Sequence, residues 1–124
     1  MTKEDLFTAS ATALTPVPVE IPGVGTLHVR GLTAGERNQY EASMIVGGAP
    51  VYTNASAKLT VLGTVTADGK KFFDNAEDDV EKVAQLAATW VEKLADKILE
   101  LSGMGGRAAD AEKNSAAGTT SASA

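Results

Sequence analysis

Two stretches of the chain alternate apolar and polar residues with a period of two, the spacing of a half-buried β-strand. The first stretch, residues 17–30, is interrupted by Pro22-Gly23-Val24-Gly25, whose proline and glycines favour a tight turn. It therefore predicts a β-hairpin. Pro18 has no N–H to donate to a neighbouring strand, so the first strand is expected at a sheet edge, where another strand can be recruited.

The second alternating stretch, residues 58–66, places Leu59 on one face and Thr60 on the other. It is followed by Asp68-Gly69, a dipeptide that tolerates the positive φ angles of a hairpin turn, and then by residues 70–73. The pattern predicts a second hairpin, in which residues 58–66 pair with residues 70–73.

A first helix is predicted by a capping box. Thr33 is followed three positions later by Glu36, so that each side chain can bond the backbone N–H of the other residue. This signature predicts a helix over residues 34–44. The segment Gly47-Gly48-Ala49-Pro50 ends it, because glycine stops a helix readily and proline cannot continue one.

A further helical segment is predicted over residues 75–102, with Asp74 as its N-terminal cap and Gly103 as a left-handed C-terminal cap. Its apolar positions recur every three or four residues and form one stripe: Val80, Val83, Ala87, Val91, Leu94, Ile98 and Leu101. Residues 84–88 are the least anchored part of this run, so the sequence is compatible with one helix or with two.

The two ends of the chain differ from its centre. Thr2 can cap a short helix, but the threonines, alanines and serines that follow are too weak to sustain it, so residues 1–16 are expected to form a flexible arm. Residues 105–124, rich in Ala, Ser, Thr and Gly, are expected to be disordered. Residues 17–104 are predicted to form one α+β domain, a small antiparallel β-sheet of two hairpins packed against two or three helices.

Composition argues against several classes of function. The chain has 16 Asp and Glu against 11 Lys and Arg, a net charge of −5, which argues against a nucleic-acid partner. It has no cysteine, and His28 is its only histidine, so neither a histidine cluster nor a Ser-His-Asp triad can be assembled. The acidic run 74–79 lacks the ligand spacing of a calcium loop. We therefore expect a non-enzyme with no catalytic residue, no cofactor and no metal.

The sequence also indicates where the chain acts. Its first residues lack the basic start and apolar run of a signal peptide. No stretch approaches the roughly 20 apolar residues that span a bilayer. We therefore expect no membrane partner and a location in the cytoplasm.

Four residues on the predicted helices are candidates for binding another protein. Leu86 and Trp90 lie one turn apart and, in a continuous helix, widen the apolar stripe toward a second surface; alternatively, Trp90 covers the sheet. Tyr40 and Met44, spaced by four on the first helix, suit an adaptable binding face or ordinary packing, and packing is the favoured interpretation.

The first hairpin ends in Val29-Arg30-Gly31-Leu32, and Thr33-Ala34-Gly35-Glu36-Arg37 follows directly. This passage resembles the v-R-G-L-t-x-x-E-R passage of the tail assembly chaperones of long-tailed (siphovirus-type) bacteriophages. The resemblance covers about residues 17–115 and includes further elements in the same order: residues 61–65, Asp68-Gly69-Lys70, Phe73, the acidic run 74–79, Leu101-Ser102-Gly103 and Glu112-Lys113-Asn114-Ser115. Many members carry a proline-containing break where this chain has residues 84–88.

The resemblance implies a chaperone that binds the helical tape measure protein, keeps it soluble and helps recruit tail tube subunits, which displace it. It also implies action in the host cytoplasm, absence from the mature virion and, in many members, a longer form made by ribosomal frameshifting. A structural virion component, such as a minor tail or connector subunit that builds a ring through edge strands, is the alternative. Self-association of the chain stays open.

Overall fold

The computed structural model of the protein describes residues 1–104 and has an α+β architecture. Its helices are α1 (Lys3–Ala13), α2 (Ala34–Ala42), α3 (Ala55–Gly63), α4 (Ala76–Val83) and α5 (Ala88–Leu101). Its strands are β1 (Val17–Ile21), β2 (Gly25–Val29), β3 (Ile45–Val46), β4 (Ala49–Pro50) and β5 (Thr64–Val65). The predicted fold class is confirmed, although five helices in the described range exceed the two or three expected. The tail predicted to be disordered, residues 105–124, lies outside the described residues.

The first hairpin is confirmed. β1 and β2 pair antiparallel from Val17 opposite Val29 to Ile21 opposite Gly25. The Val24 N–H donates to the Ile21 carbonyl at 3.0 Å and closes the turn, in which Gly23 has a φ of 82°. Proline followed by a glycine with positive φ is the signature of a type II turn. The sheet has the order β1-β2-β5, so β1 is an edge strand, as Pro18 predicted.

The strand predicted over residues 58–66 is wrong, because α3 occupies most of it and only β5 is extended. α3 packs against α4 and α5, and both Leu59 and Thr60 are completely buried. A helix covered on nearly all sides has no polar face to reveal its 3.6-residue period, so a chance alternation resembled a strand. The Thr60 hydroxyl donates to the Ser56 carbonyl at 2.9 Å, which satisfies it within the helix.

The second hairpin is present only as a turn with one bridge. Gly69 has a φ of 89°, and the Thr66 N–H donates to the Lys70 carbonyl at 2.8 Å. Val65 and Lys71 form a single antiparallel bridge. Residues 70–73 do not continue as a strand, so the predicted turn is correct and the predicted strand pair is not.

The C-terminal segment is two helices, α4 and α5, separated at residues 84–87. The cap of α4 is Asn75, one residue after the predicted Asp74, and its side chain accepts a hydrogen bond from the Asp78 N–H. The predicted cap at Gly103 is confirmed by its φ of 71°. Gly103 and Met104 donate to the carbonyls of residues 100 and 99, the two bonds of a Schellman motif.

The N-terminal segment is helical for longer than expected. Thr2 and Asp5 form a complete capping box, and α1 continues to Ala13 although it buries none of its residues. Leu6 and Phe7 are 56% and 64% exposed. The prediction that this segment is too weak to sustain a helix is therefore corrected, because the capping bonds satisfy the first N–H groups that otherwise oppose helix formation.

A network of charges joins the first hairpin to α2 and to the turn after β5. The Arg30 guanidinium donates to both oxygens of Glu36, at 2.7 and 2.9 Å. Glu36 also accepts from the Thr33 N–H at 2.9 Å and from the Lys71 ammonium. We call Arg30, Thr33, Glu36 and Lys71 the Glu36 network. Its bidentate pair fixes α2 against the end of β2.

A second contact joins this region to the end of α5. The Leu32 N–H donates to the Ser102 Oγ at 2.9 Å, across 70 positions of sequence. A Cβ added at Gly31 lies 2.8 Å from the Leu101 carbonyl oxygen, so only glycine fits between these backbones. The Arg-Gly-Leu passage and the Leu-Ser-Gly passage are thus parts of one contact.

The Glu36 network predicts a loss of stability in acid. Burial raises the pKa of Glu36, but the bonds from Arg30, Lys71 and Thr33 lower it more, to about 2 instead of 4.5. Because the folded pKa lies below the unfolded value, this stabilisation is complete above about pH 4.5 and is lost as the pH falls toward 2. Glu36→Gln should lower the free energy of unfolding by about 1–3 kcal/mol at neutral pH. Below pH 4.5 the free energy of unfolding of this variant should depend less on pH than that of the wild type. Urea unfolding at several pH values measures both effects.

The matched control is Glu41→Gln. Glu41 pairs with Arg37 at 3.2 Å on the exposed side of α2, where an ion pair contributes little. The Glu41→Gln variant should unfold like the wild type at every pH. Equal behaviour of the two variants would show that the Glu36 network does not stabilise the fold.

Candidate partner-binding groove

An open groove of about 540 Å³ lies where the start of α3, the end of α4 and the start of α5 meet. Its floor includes Ala57, Val83 and Val91, which are 3%, 1% and 7% exposed and belong to a small core cluster of their own. Its rim includes Tyr52 and Leu86, which are 39% and 43% exposed. An apolar floor with large apolar side chains at its rim is typical of a protein-binding surface.

The break between α4 and α5 creates one side of the groove. The Gln85 N–H donates to the Lys82 carbonyl at 3.1 Å and the Leu86 N–H to the Val83 carbonyl at 3.0 Å, so the last turn of α4 tightens. Ala87 is extended, with ψ 130°, and α5 starts after it. The change of direction leaves Leu86 outside both helical faces, which explains its exposure.

Alanines keep the groove open. Ala84 and Ala88 border it from the ends of α4 and α5, and Ala55 borders it from α3. Their methyl groups are too short to fill the space between the helices, so a side chain from another protein can enter. Among the described residues, Glu92 is the one charged side chain in the lining. The groove therefore suits the apolar face of a helix that has a basic residue beside it.

The structure separates Leu86 from Trp90, which the sequence placed on one surface. Leu86 lines the groove, whereas Trp90 is half-buried against the main core and lines a small cavity with Ile21, Pro22 and Lys93. Leu86 and Trp90 would lie on one surface only in a continuous helix, and the chain is not helical at residues 84–87. The alternative interpretation, in which Trp90 covers the sheet, agrees with this position.

Tyr40 and Met44 belong to the main core, and each is 6% exposed. Their candidate role in partner binding is therefore corrected in favour of packing, the interpretation that the sequence favoured. Tyr40 is the buried residue of α2, and Met44, two residues after the end of α2, is buried in the same core cluster. Sequence analysis missed Tyr52, which follows the β3-β4 hairpin. The available signal was the uncharged run of residues 42–57, whose Ile45 and Val46 are also exposed.

Metal-ligating side chains do not cluster in the described part of the chain. Within residues 1–104, no three Asp, Glu or His residues are placed to hold a metal ion. His28 is half-buried on β2, between Pro18 and Val65 on the neighbouring strands. In the same range, no helix combines the length and apolar character needed to cross a membrane.

The passage that carries most of the family resemblance, residues 29–37, does not line the groove. Arg30 and Glu36 belong to the Glu36 network, and Gly31 and Leu32 contact the end of α5. These four residues stabilise the domain and do not line the groove. Comparison of the chain with protein-family models, with curated proteins and with solved structures finds no match.

Proposed function

We propose that this protein is a tail assembly chaperone of a long-tailed bacteriophage, and that it holds apolar helical segments of the tape measure protein in the groove beside Leu86. In this role it keeps the tape measure protein soluble in the host cytoplasm until tail tube subunits displace it. It is absent from the mature virion, and a longer, frameshifted form of the chain can share the task.

The groove is the observation that carries the proposal. Tyr52 and Leu86 expose large apolar surfaces beside a floor that is already buried, so a helix laid between them removes apolar area from water without rearranging the core. A tape measure protein is a long helix with apolar stripes, which matches this shape. The groove offers side chains for packing, and the Glu92 carboxylate can orient the partner.

The contacts of the resembling residues give independent support. The Arg-Gly-Leu passage and the Leu-Ser-Gly passage are distant in sequence, yet they contact one another through Gly31, Leu32 and Ser102. Motifs that belong to one family fold are expected to depend on each other in this way. The resemblance thus concerns a connected framework instead of scattered local matches.

Co-expression tests the proposal. The protein should keep the tape measure protein encoded beside it in the soluble fraction, and the two should co-purify. Leu86→Asp, which puts a charge on the groove rim, should weaken the complex at least about tenfold, as loss of a central apolar anchor does. Trp90→Ala should reduce the stability of the domain more than the affinity, since Trp90 packs on the core.

Leu101→Asp is the matched control, because Leu101 is similarly exposed, at 37%, and does not line the groove. It should bind like the wild type. A folded Leu86→Asp variant that binds normally would place the partner elsewhere. Failure of the wild type to solubilise the tape measure protein, or recovery of this chain in stoichiometric amounts by mass spectrometry of purified virions, would favour the structural subunit instead.

A further inference from the structure

The backbone of β2 shows which side of β1 is free. The Arg30 N–H donates to the Gly63 carbonyl at 2.9 Å, so the backbone of Arg30 points toward β5. In an antiparallel ladder these directions alternate from residue to residue. His28, opposite Val65, therefore also points toward β5, and Val29 points toward β1.

The register of the hairpin also fixes which backbone groups of β1 point toward β2 and which point away from it. Val17 is opposite Val29, so the backbone groups of Val17, Val19 and Ile21 point toward β2. The backbone groups of Pro18 and Glu20 then point away from the sheet, at its free edge.

We infer that the β1 edge is closed to the addition of another strand. Of these two outward positions, Pro18 has no N–H, so Glu20 alone supplies an outward donor along β1. The Glu20 side chain is exposed and charged, and its carboxylate accepts from the Thr26 hydroxyl at 2.7 Å. Proline and charge at an edge are devices that prevent strands of two molecules from pairing.

A closed β1 edge limits how this protein can bind its partners, and this conclusion does not depend on the proposed function. Strand addition draws its affinity from main-chain hydrogen bonds along the edge, and only one of the two outward positions of β1 carries the N–H that such pairing needs. Partners and further copies of the chain therefore do not bind through the backbone of β1. The same geometry disfavours a ring built by pairing β1 strands.

Restoring an N–H at the edge tests the inference. Pro18→Val supplies a donor and a side chain that favours strands. Sedimentation velocity should show at least a tenfold rise in its association constant relative to the wild type. Pro22→Val is the control, since Pro22 lies in the turn, and it should leave association unchanged. An equal rise for Pro22→Val, or a folded Pro18→Val variant that associates no more than the wild type, overturns the inference.

Hydrogen exchange in the wild type gives a test that needs no variant. The Glu20 N–H should exchange at nearly the rate of an unstructured peptide, while those of Val19 and Ile21, bonded to β2, are protected. Protection of the Glu20 N–H that increases with protein concentration would mean that β1 does accept a strand, and the inference would fail.

Discussion

Gly31→Ala is expected to destabilise the domain strongly, by about 3 kcal/mol, the upper end of the cost of overpacking. A Cβ at this buried position lies 2.8 Å from the oxygen and 3.1 Å from the carbon of the Leu101 carbonyl. Both atoms belong to the backbone, so no side-chain rotation relieves the clash. The end of α5 must move away from β2, and that movement stretches the bond from Leu32 to Ser102.

Urea unfolding measures this effect, with Gly35→Ala as the matched control. Gly35 lies in the exposed first turn of α2, and the nearest atom to its added Cβ is 3.9 Å away. Gly35→Ala should stabilise the domain by up to about 1 kcal/mol, the difference in helix propensity. Wild-type stability of Gly31→Ala would mean that the two backbones do not approach closely.

A double-mutant cycle with Ser102→Ala locates the cause of the destabilisation. Ser102→Ala removes the acceptor of the Leu32 N–H. If Gly31→Ala already breaks this bond, the second substitution should cost less in the variant than in the wild type, and the effects should not add. Additive losses would indicate that the clash is absorbed elsewhere.

The features predicted correctly from sequence are those encoded by a few neighbouring residues. The capping box of Thr33 and Glu36, the turn at Gly23 and the C-terminal cap at Gly103 all form with the expected bonds. Each depends on steric or hydrogen-bonding properties that the residue carries into any context. The same locality limits precision, since Asp74 and Asn75 can both cap a helix and the structure uses Asn75.

Features that depend on contacts between residues far apart in the sequence could not be predicted from the sequence. The close approach of Gly31 to Leu101 involves residues 70 positions apart, and no local pattern marks it. Sequence favoured packing for Tyr40 and Met44, as the structure has it, but left a binding role open because the direction of each side chain depends on the fold. Leu86 was identified as a binding candidate, but from a continuous helix that does not exist; the break that exposes it also forms the groove.

The largest error of the sequence analysis was to predict a strand where the structure has α3. This difference can be tested at Thr60. An alternating strand puts Thr60 on its polar face, where lysine is tolerated, whereas the structure buries Thr60 completely within α3. Thr60→Lys must bury an unpaired ammonium or push α3 away from the helices beside it. Either outcome should cost at least about 4 kcal/mol, among the largest effects of a single substitution.

Thermal and urea unfolding of Thr60→Lys therefore distinguish the helix from the strand. Thr89→Lys makes the same chemical change at an exposed position of α5 and should stay within about 0.5 kcal/mol of the wild type, as surface substitutions do. A folded Thr60→Lys variant as stable as Thr89→Lys would require an exposed Thr60, and α3 would then be misplaced. Because α3 also supplies Ala55 and Ala57 to the groove, that outcome would remove the proposed binding surface as well.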